Sequence, residues 1–176
     1  MTYNDYFESP LGLIEYKASD AGIRQLIFCG DNIKPVKRNE LTKECHTQLT
    51  AYFNGDLKKF DLPLDFNGTD FQQRVWQILL EIPFGQTLSY MDIANRLNNP
   101  KAVRAVGGAN GRNPITLIVP CHRVIGASKT LTGYAGGTAR KRWLLSHEGI
   151  ELAPDKNETQ LDEVISSRQA KTQFLD

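Results

Sequence analysis

The chain has 176 residues, enough for one ordinary domain or two small ones. With 40% hydrophobic and 23% charged residues it has the make-up of a folded soluble protein, and no apolar stretch nears the ~20 residues a membrane span requires. Its net charge of +1 singles out no polyanionic partner, and its three cysteines, in no C-x-x-C spacing and behind no basic-then-apolar leader, point to reduced thiols in the cytoplasm.

The first sixty residues read as a small α/β domain, 1–60. Asp5–Glu8, Leu13–Tyr16 and Ile23–Phe28 have strand character, and Ser9-Pro10-Leu11-Gly12 and Ser19-Asp20-Ala21-Gly22 supply the turns of an antiparallel meander. Leu41, Cys45, Leu49 and Tyr52 recur at helical spacing, and Asn54-Gly55 closes that helix. The stretch 61–69, with Pro63, Asn67 and Gly68, reads as a linker.

A mainly helical domain follows, 70–153. Asp70 is the expected cap of a helix burying Phe71, Val75, Ile78, Leu79 and Ile82, with Trp76 in its core. Ser89 caps a short helix, Tyr90 to Leu97. Asn98-Asn99-Pro100 turns the chain, and a further helix runs from Lys101 to about Ala109, which makes a helix-turn-helix. Thr138 is the expected cap of a last helix through Ser146, packed by Trp143, Leu144 and Leu145. Residues 154–176 form a polar tail. The fold class is therefore α/β of the α+β kind, a small sheet domain followed by a helical one.

Charge is unevenly spread. From Ile93 to His147 there are nine Lys or Arg and no Asp or Glu, while the remainder holds 12 basic and 20 acidic residues, a net of −8. Such asymmetry marks a surface for nucleic acid or phosphate. Inside this segment the helix Lys101-Ala102-Val103-Arg104-Ala105-Val106-Gly107-Gly108 is almost bare of bulk. Its paired glycines cost roughly 1–2 kcal/mol of helix propensity against alanines. Small residues such as Ala102 and Ala105 allow close approach, either to a neighbouring helix or to a minor groove only ~6 Å wide. Arg104 is long and planar enough to fill the gap left by a displaced base.

The run Ile115-Thr116-Leu117-Ile118-Val119 reads as a buried strand that Pro120 ends, so that Cys121 and His122 stand just past a rigid strand end and face a cleft. A thiol beside an imidazole is a nucleophile beside a base.

These segments together resemble one family, the O6-alkylguanine-DNA alkyltransferases. The resemblance rests on Ile82-Pro83-Phe84-Gly85, Thr87-Leu88-Ser89-Tyr90, Arg104–Asn110, Asn113-Pro114, Ile118–Val124, Gly133-Tyr134-Ala135-Gly136-Gly137 and His147-Glu148-Gly149. It covers roughly residues 70–150 in order and spacing. It implies irreversible transfer of an alkyl group from O6-alkylguanine in double-stranded DNA, with O4-alkylthymine as a second candidate, to the protein's own cysteine. Cys121 would be the acceptor and His122 the base acting through a water. Glu148 would hold the imidazole, and Asn113 would tie the helix pair to the active-site strand. Tyr90 would turn the phosphate, touch the base and protonate the leaving guanine, and Arg104 would replace the flipped nucleotide. Lys101, Ala102, Ala105 and Arg112 would complete the DNA surface. The Cys121 and Val124 carbonyls and the Ala135 N–H would read the base. No metal or cofactor is implied, and the protein would act as a monomer.

Two features depart from the common pattern: Ala135 where many members have Ser, and Arg112 where small residues are usual. Two other functions fit parts of this pattern. A thiol hydrolase or transferase that turns over would use Cys121 and His122 alone, and a lesion sensor would bind DNA without chemistry.

Overall fold

The computed structural model describes residues 1–126 and 137–152. Backbone contacts divide the chain into two units, one built on Met1–Asn67 and one that begins at Gly68.

In the first unit, strands β1 (Tyr3–Ser9), β2 (Gly12–Ala18) and β3 (Ile23–Phe28) form an antiparallel meander in that order. Tyr3 pairs with Ala18 and Ser9 with Gly12. The Ser9 hydroxyl closes this hairpin by donating to the Gly12 carbonyl at 2.7 Å. Helix α1 (Glu40–Phe53) is capped by Asn39, whose side-chain oxygen accepts the Thr42 N–H while the Thr42 hydroxyl accepts the Asn39 N–H. Ile14, Tyr16 and Ala18 of β2 and Leu26 of β3 are buried, as are Cys45, Leu49 and Tyr52 of α1. The segment expected as a linker runs along β3 instead. The Ile23 N–H donates to the Pro63 carbonyl, and the Asp65 N–H to the Ile23 carbonyl, both at 2.8 Å.

The second unit opens with α2 (Asp70–Leu80). Thr69, not Asp70, is its cap. A Thr-x-x-Gln sequence lets the Thr69 hydroxyl take the Gln72 N–H while Gln72 reaches back to the Thr69 N–H, and this reciprocal pair outcompetes a lone carboxylate. The α2 face buries Val75, Trp76 and Leu79, and the Trp76 indole donates to the Ala109 carbonyl at 2.9 Å. Next come β4 (Leu88–Ser89) and α3 (Tyr90–Arg96), capped by Ser89 as expected. Asn98 turns in the left-handed region at φ 57°, a single 3-10 turn spans Pro100–Ala102, and α4 (Val103–Gly111) follows. Ile93 and Ala94 of α3 and Val106 and Ala109 of α4 are buried, and the two helices pack together.

The apolar run before Pro120 is not a strand. Its residues are buried, but Leu117 sits at φ 77° and the chain folds back on itself. The Ile118 N–H donates to Thr116 at 2.9 Å and the Val119 N–H to Ile115 at 3.0 Å. Buried β-branched residues look alike in a strand and in a packed turn, because burial rather than pairing sets their hydrophobicity.

A 3-10 turn, Cys121–Arg123, leads into β5 (Val124–Ile125), which pairs in parallel with β4 through Leu88–Val124 and Ser89–Ile125. Helix α5 (Thr138–His147) closes the described chain. Its cap position is Gly137 at φ 94°, and Thr138 is already helical. Leu144 and Leu145 are buried, whereas Trp143 is half-buried and stacks on His147.

Candidate active site

Three short pieces of backbone bring the chemistry together. The β4–β5 pair sets Tyr90, which follows β4, beside the segment that follows Cys121. The back-folded turn after α4 delivers Cys121. The end of α5 delivers Glu148, whose N–H caps the helix on the Leu144 and Leu145 carbonyls at 3.0 Å.

Cys121 is only 2% exposed, so the thiol is enclosed and does not stand on an open cleft wall as the strand reading implied. The turn before Pro120 draws the chain inward, where a strand end would have carried it to the edge.

Asn113 shapes that turn. Its side-chain oxygen accepts the Ile115 N–H at 2.9 Å, and its amide donates to the Val119 carbonyl at 2.8 Å. One buried side chain therefore satisfies both ends of a loop that has no ladder to do so. From the neighbouring α4, Asn110 reaches the Cys121 carbonyl at 3.4 Å.

His122 is fully buried, and its Nε2 lies 2.8 Å from Glu148 Oε2. Burial pushes the Glu148 carboxyl up, but the hydrogen bonds and charges of His122 and Arg123 outweigh it and hold the group at about 2. An ionised carboxylate accepts only, so the imidazole proton belongs on Nε2 and the Nδ1 lone pair is left for use. Nδ1 is buried, with no hydrogen-bond partner among the described residues. Burial lowers the His122 pKa against the pull of Glu148, so the ring is neutral and basic at pH 7. For Cys121, burial pushes the thiol up, while the Asn113 side chain, the Lys141 charge and a backbone N–H favour the thiolate.

In the sequence Arg123 is one more base of the acid-free segment. It is buried at 7% exposure, donates to both Glu148 oxygens and reaches the Ile82 carbonyl at 2.6 Å. Lys141, from the same segment, is fully buried, and its ammonium donates to the Val124 carbonyl. These two charges are therefore structural, and the basic surface is smaller than composition implied. No spacing in the sequence links Arg123 to Glu148, 25 residues further on. Nothing in α5 separates Lys141 from its neighbours Arg140 and Arg142.

The remaining predicted residues line the helix pair. Lys101, Arg104, Ala105 and Arg112 are exposed, with Ala102 half-exposed beside them. Val106, Ala109 and Asn110 point the other way, into the core. Gly107 and Gly108 both have room for a side-chain carbon. A Cβ on Gly107 would touch the Tyr90 ring at 3.9 Å, and one on Gly108 would lie 3.4 Å from the Arg112 guanidinium. Ala135, with Tyr134 and Lys129, lies outside the described residues.

An enclosed thiol, a neutral imidazole locked by an ionised carboxylate and the exposed Lys101, Arg104 and Arg112 in one unit fit a thiol-centred enzyme of the nucleic-acid-binding class. Comparison with known proteins makes this specific. Residues 70–150 match the family model described as the 6-O-methylguanine DNA methyltransferase DNA-binding domain, and residues 2–66 match the ribonuclease-like domain of the same proteins. A methylated-DNA–protein-cysteine methyltransferase of Methanosarcina acetivorans is 48% identical over 153 residues, covering 84% of this chain and 98% of the relative. Its counterpart in Mycobacterium tuberculosis is 64% identical over 108 residues, which is 61% of this chain and 66% of that one. The crystal structure of the Mycobacterium tuberculosis O6-methylguanine methyltransferase superposes with a TM-score of 0.77 at 45% identity, covering 88% of this chain and 97% of that one. A crystal structure of that protein in complex with DNA gives 0.76 at 46% identity, over 83% and 92% of the two chains. The chain belongs to the methylated-DNA–protein-cysteine methyltransferase family.

Proposed function

We propose that this enzyme repairs DNA by moving the alkyl group of O6-alkylguanine onto Cys121 in a single irreversible step. The observation that carries this reading is the buried relay beside the thiol: His122 held through Nε2 by an ionised Glu148, with Nδ1 left as an acceptor.

The step is a displacement at carbon. A water-linked His122 Nδ1 takes the thiol proton. The sulfur forms a bond to the alkyl carbon as the bond to O6 breaks, and the electron pair leaves with guanine. Guanine then takes up a proton, from the Tyr90 hydroxyl or from solvent, so the proton count closes. Glu148 stabilises the imidazolium that forms in between. A thioether is inert to water under mild conditions, so each chain removes one lesion.

A base stacked in a duplex cannot reach the thiol of a cysteine that is 2% exposed. Flipping solves this at a cost of a few kcal/mol. The exposed residues of α4 and of the turns that flank it support that role, with Lys101 and Arg112 toward phosphates, Ala102 and Ala105 giving close approach to the minor groove, and Arg104 in the vacated stack. The Cys121 and Val124 carbonyls and the Ala135 N–H would read the guanine edge. O4-alkylthymine is the second candidate substrate, and the protein acts as a monomer.

The test is a titration of a fixed amount of protein with excess duplex carrying O6-methylguanine, with repaired guanine counted. A plateau at one equivalent per chain supports the proposal. Continued turnover would favour the hydrolase or transferase reading, and binding without any loss of methyl would favour the sensor.

A further inference from the structure

Two buried side-chain acceptors near Cys121, His122 Nδ1 and Asn110 Oδ1, have no hydrogen-bond partner among the described residues. The proposed reaction uses the first as its base and leaves the second without a task. Asn110 is 3% exposed, on the core side of α4. An amide oxygen taken out of water and left unpaired is destabilising, and leucine would fill nearly the same space without that cost.

The orientation of the amide is set by its neighbour. A carbonyl only accepts, so Asn110 turns its nitrogen to the Cys121 carbonyl, 3.4 Å away, and its oxygen elsewhere. The Val124 N–H donates to the same Cys121 carbonyl, which therefore holds two donors for its two lone pairs. The Val124 carbonyl accepts the Lys141 ammonium. Both carbonyls assigned to the base edge thus already hold donors, while the Asn110 oxygen beside them holds none among the described residues.

The same face of α4 reaches Tyr90. Gly107 and Asn110 stand three residues apart in the helix, and a Cβ on Gly107 would touch the Tyr90 ring at 3.9 Å. One helix face carries the Tyr90 ring at Gly107 and the Cys121 carbonyl at Asn110. In the proposed reaction the base touches Tyr90 and gives its alkyl group to Cys121, so it lies along this face. Guanine brings an exocyclic amine, a donor, and thymine has no such group.

We infer that Asn110 is a specificity residue, whose side-chain oxygen accepts a hydrogen of the guanine amine and favours O6-alkylguanine over O4-alkylthymine. The inference rests on the proposed alkyl transfer to Cys121 and refines its base contacts: the Cys121 carbonyl, already holding two donors, acts by aiming the Asn110 amide. A base without the amine leaves the buried oxygen unpaired, and such a loss discriminates more strongly than a missing methyl group does.

The test is single-turnover methyl transfer at saturating DNA by wild type, Asn110→Leu and Asn110→Ala. The duplexes carry O6-methylguanine or O6-methylhypoxanthine, which is the same base without the amine. Wild type is expected to react about tenfold faster, or more, with O6-methylguanine. Each variant is expected to lose about tenfold on O6-methylguanine and to change little on O6-methylhypoxanthine, so the ratio of the two rates falls about tenfold. That ratio is read within one preparation, so a smaller folded fraction cancels. Equal wild-type rates on the two duplexes would overturn the inference with no variant needed. A ratio that keeps its wild-type value while both rates drop together would overturn it too, and would assign Asn110 to the loop or to the proton relay. Either result leaves the proposed function standing. Wild type that takes methyl from neither duplex would sink the proposed function and this inference together.

Discussion

Arg123 grips Glu148 with two nitrogens, Nε at 2.7 Å from Oε1 and Nη2 at 3.1 Å from Oε2, and the second oxygen also lies 2.8 Å from His122 Nε2. The carboxylate is thereby fixed in orientation as well as in charge. Because Arg123 also holds the Ile82 carbonyl, the imidazole is braced against the segment that follows α2.

Cutting that brace exposes what it does. Arg123→Ala leaves a buried carboxylate with half its support and is expected to cost about 3–5 kcal/mol of stability. Arg123→Lys keeps the charge but loses the fork, and a smaller loss is expected. Chemical denaturation of the two variants checks the order. A variant Arg123→Ala as stable as wild type would contradict the ion pair's role.

Glu148 ties stability to acid. Its folded-state pKa of about 2 lies below its ordinary value of 4.5, so the unfolded chain binds the proton first as pH falls. The stabilisation is complete above about pH 4.5, declines below it and is gone once pH passes through about 2. At full strength it amounts to roughly 3 kcal/mol. Urea midpoints measured across this window should fall for wild type and stay flatter for Glu148→Gln. Parallel slopes for both proteins would assign the acid sensitivity elsewhere.

Asn113 is expected to be intolerant of change. Asn113→Ala strands a buried N–H at Ile115 and a buried carbonyl at Val119, each worth about 1–3 kcal/mol. The turn that delivers Cys121 then loosens. Methyl transfer should fall by more than DNA affinity does, read by single-turnover kinetics beside a binding isotherm. An equal loss in both would place Asn113 in the DNA surface instead.

Arg104 should separate binding from chemistry in the other direction. It is exposed on α4 and remote in sequence from the relay. Arg104→Ala is expected to change stability by under about 0.5 kcal/mol and to leave iodoacetamide labelling of Cys121 unchanged. Methyl transfer from duplex DNA should drop steeply, and less from a free alkylated base. Full activity on duplex DNA would remove Arg104 from the flipping step.

Much of this site is legible in the sequence, and the gaps have physical causes. Ser89, with its acidic partner Asp92 three residues on, announces the start of α3, because capping is local chemistry. The three strands of the first unit are equally local, set by turns such as Ser9–Gly12. The turn at Ile115–Val119 is invisible for the opposite reason. Its shape depends on Asn113, whose hydrogen bonds replace a ladder, and on Leu117 accepting a left-handed backbone at φ 77°. Charge composition cannot show which cations find buried partners, as Arg123 and Lys141 do. His122 and Glu148 lie 26 residues apart, and their meeting depends on the end of α5 packing beside the Cys121 turn. Spacing alone does not foretell such packing, and the family resemblance supplied that pairing.

One measurement bears on the whole account. Protein incubated with an O6-methylguanine duplex is weighed intact and then digested, and the modified residue is located by peptide mass. The account predicts one methyl group per chain, on Cys121 and on neither Cys29 nor Cys45, with no adduct in Cys121→Ser. A methyl group on another residue, or an unmodified chain beside demethylated DNA, would contradict it.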